Sequence, residues 1–171
     1  MNIVLLGYMT SGKTTVGKIL QEKTHLTWLD LDVEIEKKEN QSINQIFEKK
    51  GEIYFRKIER EVLLELLEKD NVILSLGGGT PCYYNNIEEI NKKSISFYLQ
   101  TSITELVKRI QLFSANRPLV KDRTEDELKE FVAKHLFERN TFYQQAHFTI
   151  YTDQKSFDQL ALEILLNTEK K

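Results

Sequence analysis

The sequence has little of what marks secreted, membrane-spanning or nucleic-acid-binding proteins. Its 171 residues include one cysteine, Cys82, so the chain cannot form an internal disulfide bond. With no signal peptide recognised, we expect a protein of the reducing cytoplasm. No stretch approaches the roughly 20 consecutive apolar residues that a membrane helix needs. The net charge of −2 provides no basic surface to favour a nucleic acid or an anionic membrane as a partner.

Glycine and proline are also scarce, with seven and two residues respectively. Linkers between domains are often rich in these residues, and we find no such stretch. The length fits one domain whose core is large enough to fold alone. We therefore predict a single domain over residues 1–171.

Short apolar runs alternate along the chain with segments of helical periodicity. The runs that indicate buried strands are NIVLL, LTWLDLD, NVILSL, ISFYL and HFTIY. Four of the predicted helices begin with capping-box pairs, Ser42–Gln45, Ser102–Glu105, Thr124–Glu127 and Ser156–Gln159. This alternation predicts an α/β fold of three layers, with a five-stranded parallel sheet between helices. Such sheets bind ligands beyond the carboxyl ends of their strands.

The segment GYMTSGKTT, residues 7–15, lies between the first predicted strand and a predicted helix. Gly7, Gly12, Lys13 and Thr14 match the pattern G-x-x-x-x-G-K-[ST]. In such loops the backbone amides and the helix N-terminus face phosphate oxygens, the lysine reaches the β- and γ-phosphates, and the hydroxyl ligates Mg²⁺. The segment therefore predicts a nucleoside triphosphate site, with ATP and Mg²⁺ as the expected ligands.

Acidic residues and glycines lie at the predicted ends of two further strands. Asp30 and Asp32 are two residues apart, which in a strand directs both carboxylates to the same side, beside the phosphate loop. In one interpretation, one carboxylate supports the metal through water and the other holds an acceptor hydroxyl. In the alternative, one of them only caps the next helix. Gly77, Gly78 and Gly79 occupy the place where switch GTPases and many motor ATPases carry a metal-binding aspartate. They form either a flexible turn or bare backbone for a second molecule.

Three arginines complete the set of candidate binding residues. Arg56 and Arg139 lie in predicted helices, and Arg117 lies in the aperiodic stretch LFSANRPLVKDRT. Each alone is readily explained as a solvated surface residue. Together they would suit a small anionic substrate, because the planar guanidinium group matches carboxylate and phosphate.

These segments in combination resemble the shikimate kinases, small-metabolite kinases with a phosphate loop that are related to the nucleoside monophosphate kinases. The resemblance covers nearly the whole chain and rests on GYMTSGKTT, WLDLD, GEIYFRKIE, SLGGGT, NRPL and ERNTFY, in the family's order. It implies a P-loop kinase fold with a mobile lid at about residues 112–124. The implied reaction moves the γ-phosphoryl group of Mg-ATP to the 3-hydroxyl of shikimate, on the way to chorismate. The implied enzyme is monomeric and cytoplasmic.

The resemblance also implies roles for individual residues. Asp32 would hold the shikimate hydroxyls as base or orienter, while Lys13 and Arg117 would stabilise charge on the transferring phosphoryl group. The implied ATP contacts are Thr10, Ser11, Gly12, Lys13, Thr14, Thr15, Arg109, Arg117 and Gln154. The implied shikimate contacts are Asp32, Arg56, Gly77, Gly78, Gly79 and Arg139, and those of Mg²⁺ are Thr14 and, through water, Asp30. Thr10 stands where the family usually has glycine, so a positive φ there would strain this β-branched residue.

Two alternatives stay open at the level of the sequence. Another small-molecule kinase, for gluconate or a nucleoside monophosphate, would share the phosphate loop, and gluconate also carries a carboxylate and hydroxyls. A non-catalytic ATP-binding protein would be consistent with Thr10 and with the missing acid after the third strand. ADP release that depends on a small acceptor would distinguish these classes.

Overall fold

Five parallel strands form one sheet. A computed structural model describes residues 1–113 and 123–169 of the chain. The strands are β1 (Ile3–Leu6), β2 (Thr27–Asp30), β3 (Val72–Ser75), β4 (Ile95–Gln100) and β5 (Phe148–Tyr151). They lie in the order β2-β3-β1-β4-β5, and every pairing is parallel. The predicted five-stranded parallel sheet of an α/β fold is confirmed.

Helices connect and cover these strands. Those in the described ranges are α1 (Lys13–Lys23), α2 (Leu31–Glu39), α3 (Ile43–Leu67), α4 (Asn86–Lys93), α5 (Ile103–Phe113), α6 (Glu125–Tyr143) and α7 (Phe157–Thr168). A single turn of 3₁₀-helix, Thr80–Cys82, follows the glycine run. Within the part of the chain that the structure describes, no helix is both long and apolar enough to span a bilayer.

The sheet is buried on both faces, which explains its near-continuous apolar strands. All four residues of β1 are fully buried, and they alternate between two core clusters. Ile3 and Leu5 pack towards α1 and α7, whereas Val4 and Leu6 pack towards the side that α2 to α6 cover. This arrangement gives the three layers that the sequence predicted.

Three of the four predicted capping boxes are complete, at the starts of α3, α6 and α7. The prediction of a fourth box at Ser102 is only half correct. The Glu105 amide donates to Ser102 Oγ at 3.2 Å, but the Ser102 amide donates to Asp153 Oδ1 at 3.0 Å instead of to Glu105. The Glu105 carboxylate is free to bind Arg109, and their Oε1 and Nε atoms lie 2.8 Å apart.

The second predicted strand is shorter than its apolar pattern indicated. β2 ends at Asp30, whose Oδ1 accepts from the amides of Asp32 and Val33 at 3.0 and 3.4 Å. Asp30 is thus the N-cap of α2, and Asp32 lies in the first turn of that helix. The prediction that both carboxylates project from one side of a strand is wrong, because capping by Asp30 starts the helix two residues earlier.

Gly51 divides α3 into two helical segments. Its φ of 79° and ψ of 174° are not helical. The second segment buries Phe55, Ile58, Val62 and Leu63 against the core, in agreement with its helical periodicity. The kink therefore separates the capped start of α3 from the segment that carries Arg56.

Gly17 of α1 packs tightly against Trp28 of the sheet, and this contact leads to a stability prediction. A Cβ atom built on Gly17 would lie 2.3 Å from Trp28 Nε1, whose indole donates to Ser75 Oγ at 3.0 Å. We expect Gly17→Ala to lower the free energy of unfolding by about 1–3 kcal/mol through overpacking. This loss would occur although alanine is the better helix former.

Urea denaturation followed by circular dichroism measures this change. The control is Glu22→Ala on the exposed side of the same helix, which we expect to alter stability by less than about 0.5 kcal/mol. Equal stability of the two variants would contradict the proposed clash.

Candidate active site

The first half of the site is the loop between β1 and α1. Gly7 and Gly12 have φ values of 147° and 101°, which side-chain-bearing residues rarely adopt. The Ser11 amide donates to Tyr8 O at 3.2 Å and closes a turn. Lys13 Nζ donates to the carbonyl oxygens of Gly7 and Tyr8 at 2.9 and 2.8 Å. The loop therefore holds its own ammonium group against the backbone that directly follows β1.

Thr10 has the positive φ that would strain it, with a value of 61°. A β-branched residue in this conformation costs on the order of 1–3 kcal/mol and persists where its surroundings hold it. Arg109 Nη1 supplies one restraint by donating to Thr10 O at 3.2 Å. Thr10 Oγ1 and Ser11 Oγ are buried, and neither has a hydrogen-bond partner in the described part of the chain. Since buried hydroxyls are normally paired, a ligand of this loop could complete them.

A cavity of about 260 Å³ opens beside this loop. It is lined by Thr10, Gly12, Lys13, Thr14, Thr15, Arg109 and Phe157. Most of the predicted nucleotide contacts therefore lie around one space. Gln154 is exposed in the loop between β5 and α7 and is not among the lining residues.

Phe157 is a lining residue that the sequence analysis missed. Its ring lies 5.9 Å from the Arg109 guanidinium carbon, and a Cβ atom on Gly12 would approach Phe157 Cε1 to 2.7 Å. The available signal was an aromatic residue at the first position of α7, directly after the capping serine. A planar ligand in this cavity would have a guanidinium group and an aromatic ring among its neighbours.

The second half of the site surrounds the glycine run after β3. Cβ atoms built on Gly77, Gly78 and Gly79 would lie 3.0 Å from Asp32 Oδ1, 3.2 Å from Arg139 Nη1 and 2.9 Å from Arg56 Nη2, respectively. Each glycine thus faces one of the three charged side chains predicted to bind the acceptor. Side chains at these positions would displace those groups, which explains the need for bare backbone.

The two halves are contiguous. A Cβ atom on Gly78 would also lie 3.7 Å from Gly7 O and 3.7 Å from Met9 N, both in the phosphate loop. The sheet order accounts for this proximity, because β1 and β3 are neighbours whose carboxyl ends meet at one edge. A phosphate on the loop and an acceptor on the glycine run would therefore be adjacent.

Glu59 fixes the position of Arg56. Its carboxylate is almost fully buried and accepts from Arg56 Nη1 at 2.9 Å and from Thr80 Oγ1 at 2.6 Å. The Tyr83 ring covers the guanidinium from another side, with 3.9 Å between its centroid and the guanidinium carbon. The sequence analysis gave Glu59 no role, although an acid on the buried face of α3, three residues after an arginine, was a usable signal.

Asp32 has an unusual protonation equilibrium. Burial is the main cause that raises the pKa of its carboxyl to about 6; the neighbouring carboxylates of Asp30 and Glu59 contribute to this rise, and Lys13 opposes it. The ionised form is therefore costly in the free protein. A hydroxyl that donates to Asp32 would stabilise this ionised form.

Some predicted parts of the site lie outside the described residues. Arg117 is among them, as is most of the segment predicted as a lid. Leu112 and Phe113 end α5, and Arg123 and Thr124 precede α6.

Comparisons with known proteins agree with this geometry. A family model described as shikimate kinase matches residues 9–169. A shikimate kinase of Flavobacterium johnsoniae is 47% identical over 165 residues, which cover 95% of this chain and 96% of the relative. The crystal structure of a shikimate kinase from Bacteroides thetaiotaomicron superimposes with a TM-score of 0.92 at 32% identity, covering 99% of this chain and 98% of that one. One from Acinetobacter baumannii in complex with shikimate gives 0.88 at 38% identity, covering 99% and 94%.

The raised pKa of Asp32 leads to a prediction about stability and pH. Between pH 4 and pH 6 the folded protein binds more protons at this carboxyl than the unfolded chain does, so stability falls as the pH rises through that range. Asparagine cannot ionise. We therefore expect Asp32→Asn to be more stable than the wild type at pH 7.5, by about 1–3 kcal/mol, with little difference at pH 4.

Urea denaturation at the two pH values tests this. Asp70→Asn is the control, because Asp70 is an exposed aspartate outside the site. We expect it to match the wild type within about 0.5 kcal/mol at both pH values. A stability gain of Asp32→Asn that is equal at pH 4 and pH 7.5 would rule out ionisation as its cause.

Proposed function

The chain belongs to the shikimate kinase family, and we propose that it transfers the γ-phosphoryl group of ATP to the 3-hydroxyl group of shikimate. The observation that carries this proposal is the glycine run, which brings Asp32, Arg56 and Arg139 together beside the phosphate loop. Two guanidinium groups suit one carboxylate, and an aspartate suits hydroxyl donors. A small molecule with a carboxylate and several hydroxyls matches that set. The relative solved with shikimate bound supports the choice of acceptor.

On the nucleotide side, residues 10–15 would bind the phosphates of ATP. The amides of this loop and the N-terminus of α1 provide donors and a partial positive charge. The Lys13 ammonium already lies at the loop, where the carbonyl oxygens of Gly7 and Tyr8 hold it. A bound phosphate would take over part of its coordination. We place the adenine near Arg109, and Gln154 stays a proposed further contact.

Thr14 and Asp30 are suitably placed to help bind Mg²⁺. Thr14 is exposed in the first turn of α1, and both amides that bind Asp30 use its Oδ1, which leaves Oδ2 for a metal-bound water. Among the described residues, no cluster of three or more histidine, cysteine or acidic side chains could hold a metal by itself. The nucleotide phosphates would therefore supply most ligands. Mg²⁺ bound with ATP neutralises charge on the β- and γ-phosphates.

The chemistry requires positioning more than a strong base, because phosphoryl transfer passes through a loose transition state in most analyses. Arg56 and Arg139 would bind the acceptor carboxylate and so fix the orientation of the ring. Asp32 would accept a hydrogen bond from the 3-hydroxyl and take its proton as the oxygen–phosphorus bond forms. Lys13 would stabilise charge on the transferring group, and we propose the same role for Arg117.

The family resemblance supports several broader expectations. The product would be shikimate 3-phosphate, an intermediate on the way to chorismate and the aromatic amino acids. We also propose that the enzyme is monomeric and cytoplasmic and needs neither nucleic acid nor membrane. Size-exclusion chromatography would check the oligomeric state.

The test of the function is ADP release from Mg-ATP by the purified protein. Shikimate, gluconate and a panel of nucleoside monophosphates are offered separately. We expect turnover with shikimate. Turnover only with another acceptor would reassign the pocket, and no release with any acceptor despite measured ATP binding would indicate a non-catalytic protein.

The role of Arg139 gives a kinetic prediction. Arg139→Ala would leave the acceptor carboxylate without one of its two cations, which typically costs about 2–5 kcal/mol. We expect the KM for shikimate to rise roughly thirtyfold or more, while the KM for ATP changes little.

Steady-state kinetics with each substrate varied in turn provide the measurement. Lys134→Ala is the control, because it removes one positive charge from the exposed side of the same helix. Its shikimate KM should match the wild type. An unchanged shikimate KM in Arg139→Ala would remove this residue from the acceptor site.

A further inference from the structure

The three carbonyl groups of the glycine run are held in two different ways. Gly77 O accepts from the Thr80 amide at 3.2 Å, and Gly79 O accepts from the Cys82 amide at 2.9 Å. Both are local turn hydrogen bonds within the chain segment itself. Gly78 O instead accepts from the Tyr143 hydroxyl at 2.5 Å, across 65 residues of sequence. The middle carbonyl therefore depends on a side chain from another element.

Tyr143 is built firmly into the structure. It is the last residue of α6, it is fully buried, and its ring packs against that of Tyr98 with 4.9 Å between the centroids. Burial raises the pKa of its hydroxyl well above the ordinary value, so the group stays protonated and remains a donor at neutral pH. This hydrogen bond is thus present under the conditions in which the enzyme would act.

Tyr143 and Arg139 approach the same glycine from one helix. They are four residues apart and therefore lie on the same face of α6. The Arg139 guanidinium is 3.2 Å from the Cβ position of Gly78, and the Tyr143 hydroxyl binds the carbonyl of Gly78. The helix that carries Arg139, which we propose binds the acceptor carboxylate, thus also determines how the backbone at Gly78 is oriented.

The peptide between Gly78 and Gly79 can be reoriented when its carbonyl group is not held. A peptide flanked by two glycines meets no Cβ on either side, so its plane can rotate at little steric cost. All peptides in the described chain are trans, and the Gly79 amide therefore points away from the carbonyl that Tyr143 holds. Within residues 1–113 and 123–169, no hydrogen bond from the amide of Gly78 or Gly79 is found.

We propose that Tyr143 is a positioning residue for the acceptor. By holding Gly78 O, its hydroxyl fixes the Gly78–Gly79 peptide in the orientation that presents the Gly79 amide to an oxygen of the bound acceptor. Without the hydroxyl, this peptide samples flipped orientations, and only the fraction in the native orientation binds. The apparent acceptor affinity then falls by that fraction. This inference rests on the proposed function.

The experiment compares two variants in which a buried tyrosine is replaced by phenylalanine, and the two lost hydroxyl groups bind different partners. Tyr143→Phe keeps the buried ring and removes the hydrogen bond to Gly78. Tyr98→Phe, the matched control, removes a buried hydroxyl from the same ring pair, but that hydroxyl binds Asn140 Oδ1 at 3.1 Å. Both variants lose a hydrogen bond of a buried tyrosine. The Tyr143 hydroxyl also hydrogen-bonds the Arg139 side chain, and the signal of the Gly79 amide distinguishes a reoriented peptide from a displaced arginine.

For Tyr143→Phe we expect the KM for shikimate to rise about tenfold, the usual consequence of losing one hydrogen bond, with kcat and the KM for ATP nearly unchanged. Tyr98→Phe should keep the wild-type acceptor KM. The inference is overturned if the acceptor KM of Tyr143→Phe equals that of the wild type, or if both variants raise it equally.

A second measurement does not depend on turnover. Glycine-selective ¹⁵N labelling gives at most seven backbone amide signals, one per glycine. In the free protein, Tyr143→Phe should shift or broaden the Gly79 signal more than that of Gly17, whereas Tyr98→Phe should not. An unaltered Gly79 signal would overturn the inference even if shikimate turnover is observed. Absence of shikimate turnover in the wild type would instead refute the proposed function, and the Gly79 signal would still report on the peptide.

Discussion

The site depends on the absence of side chains at three successive positions after β3. Because Gly77, Gly78 and Gly79 carry no Cβ, the charged groups of α2, α6 and α3 approach the same short piece of backbone to about van der Waals distance. The same absence lets that backbone lie against the phosphate loop. An acceptor and a phosphate can then meet without either element moving, which is the positioning that phosphoryl transfer requires.

Charged groups this close together must be compensated. The structure compensates the charges near Arg56 and the charge of Asp32 in different ways. The buried carboxyl group of Glu59 contacts Arg56 and the Thr80 hydroxyl, and this pairing supports the arginine proposed to bind the acceptor. Within residues 1–113 and 123–169, no ion pair of Asp32 is found, and burial raises the pKa of its carboxyl. The arginine proposed to bind a carboxylate is therefore supported by a charged partner, whereas ionisation is unfavourable at the carboxyl proposed to bind the reacting hydroxyl. Such a local cost is common where substrate groups complete a site.

Local pattern predicted much of this molecule from its sequence, and long-range contacts account for the rest. The five strands, the connection from β1 to α1 and three capping boxes follow from neighbouring residues, and these structural features are confirmed. The second strand was extended too far because its apolar alternation continues past the residue that caps α2. Phe157, Glu59 and Tyr143 were missed because their partners lie elsewhere in the fold or on another face of the helix. The roles assigned to individual site residues remain predictions, Arg117 among them.

The pairing of β1 has a consequence for the order in which the molecule can form. β1 lies between β3 and β4. Its backbone hydrogen bonds therefore need both neighbours, whose paired residues extend to Ser75 in β3 and to Tyr98 in β4. Parallel pairing always joins segments far apart in sequence, and such contacts form slowly. The strand that carries the phosphate loop therefore has no sheet partner until β3 is made, and it is paired on both sides only once β4 follows. Nucleotide binding by that loop thus depends on segments that are synthesised well after it.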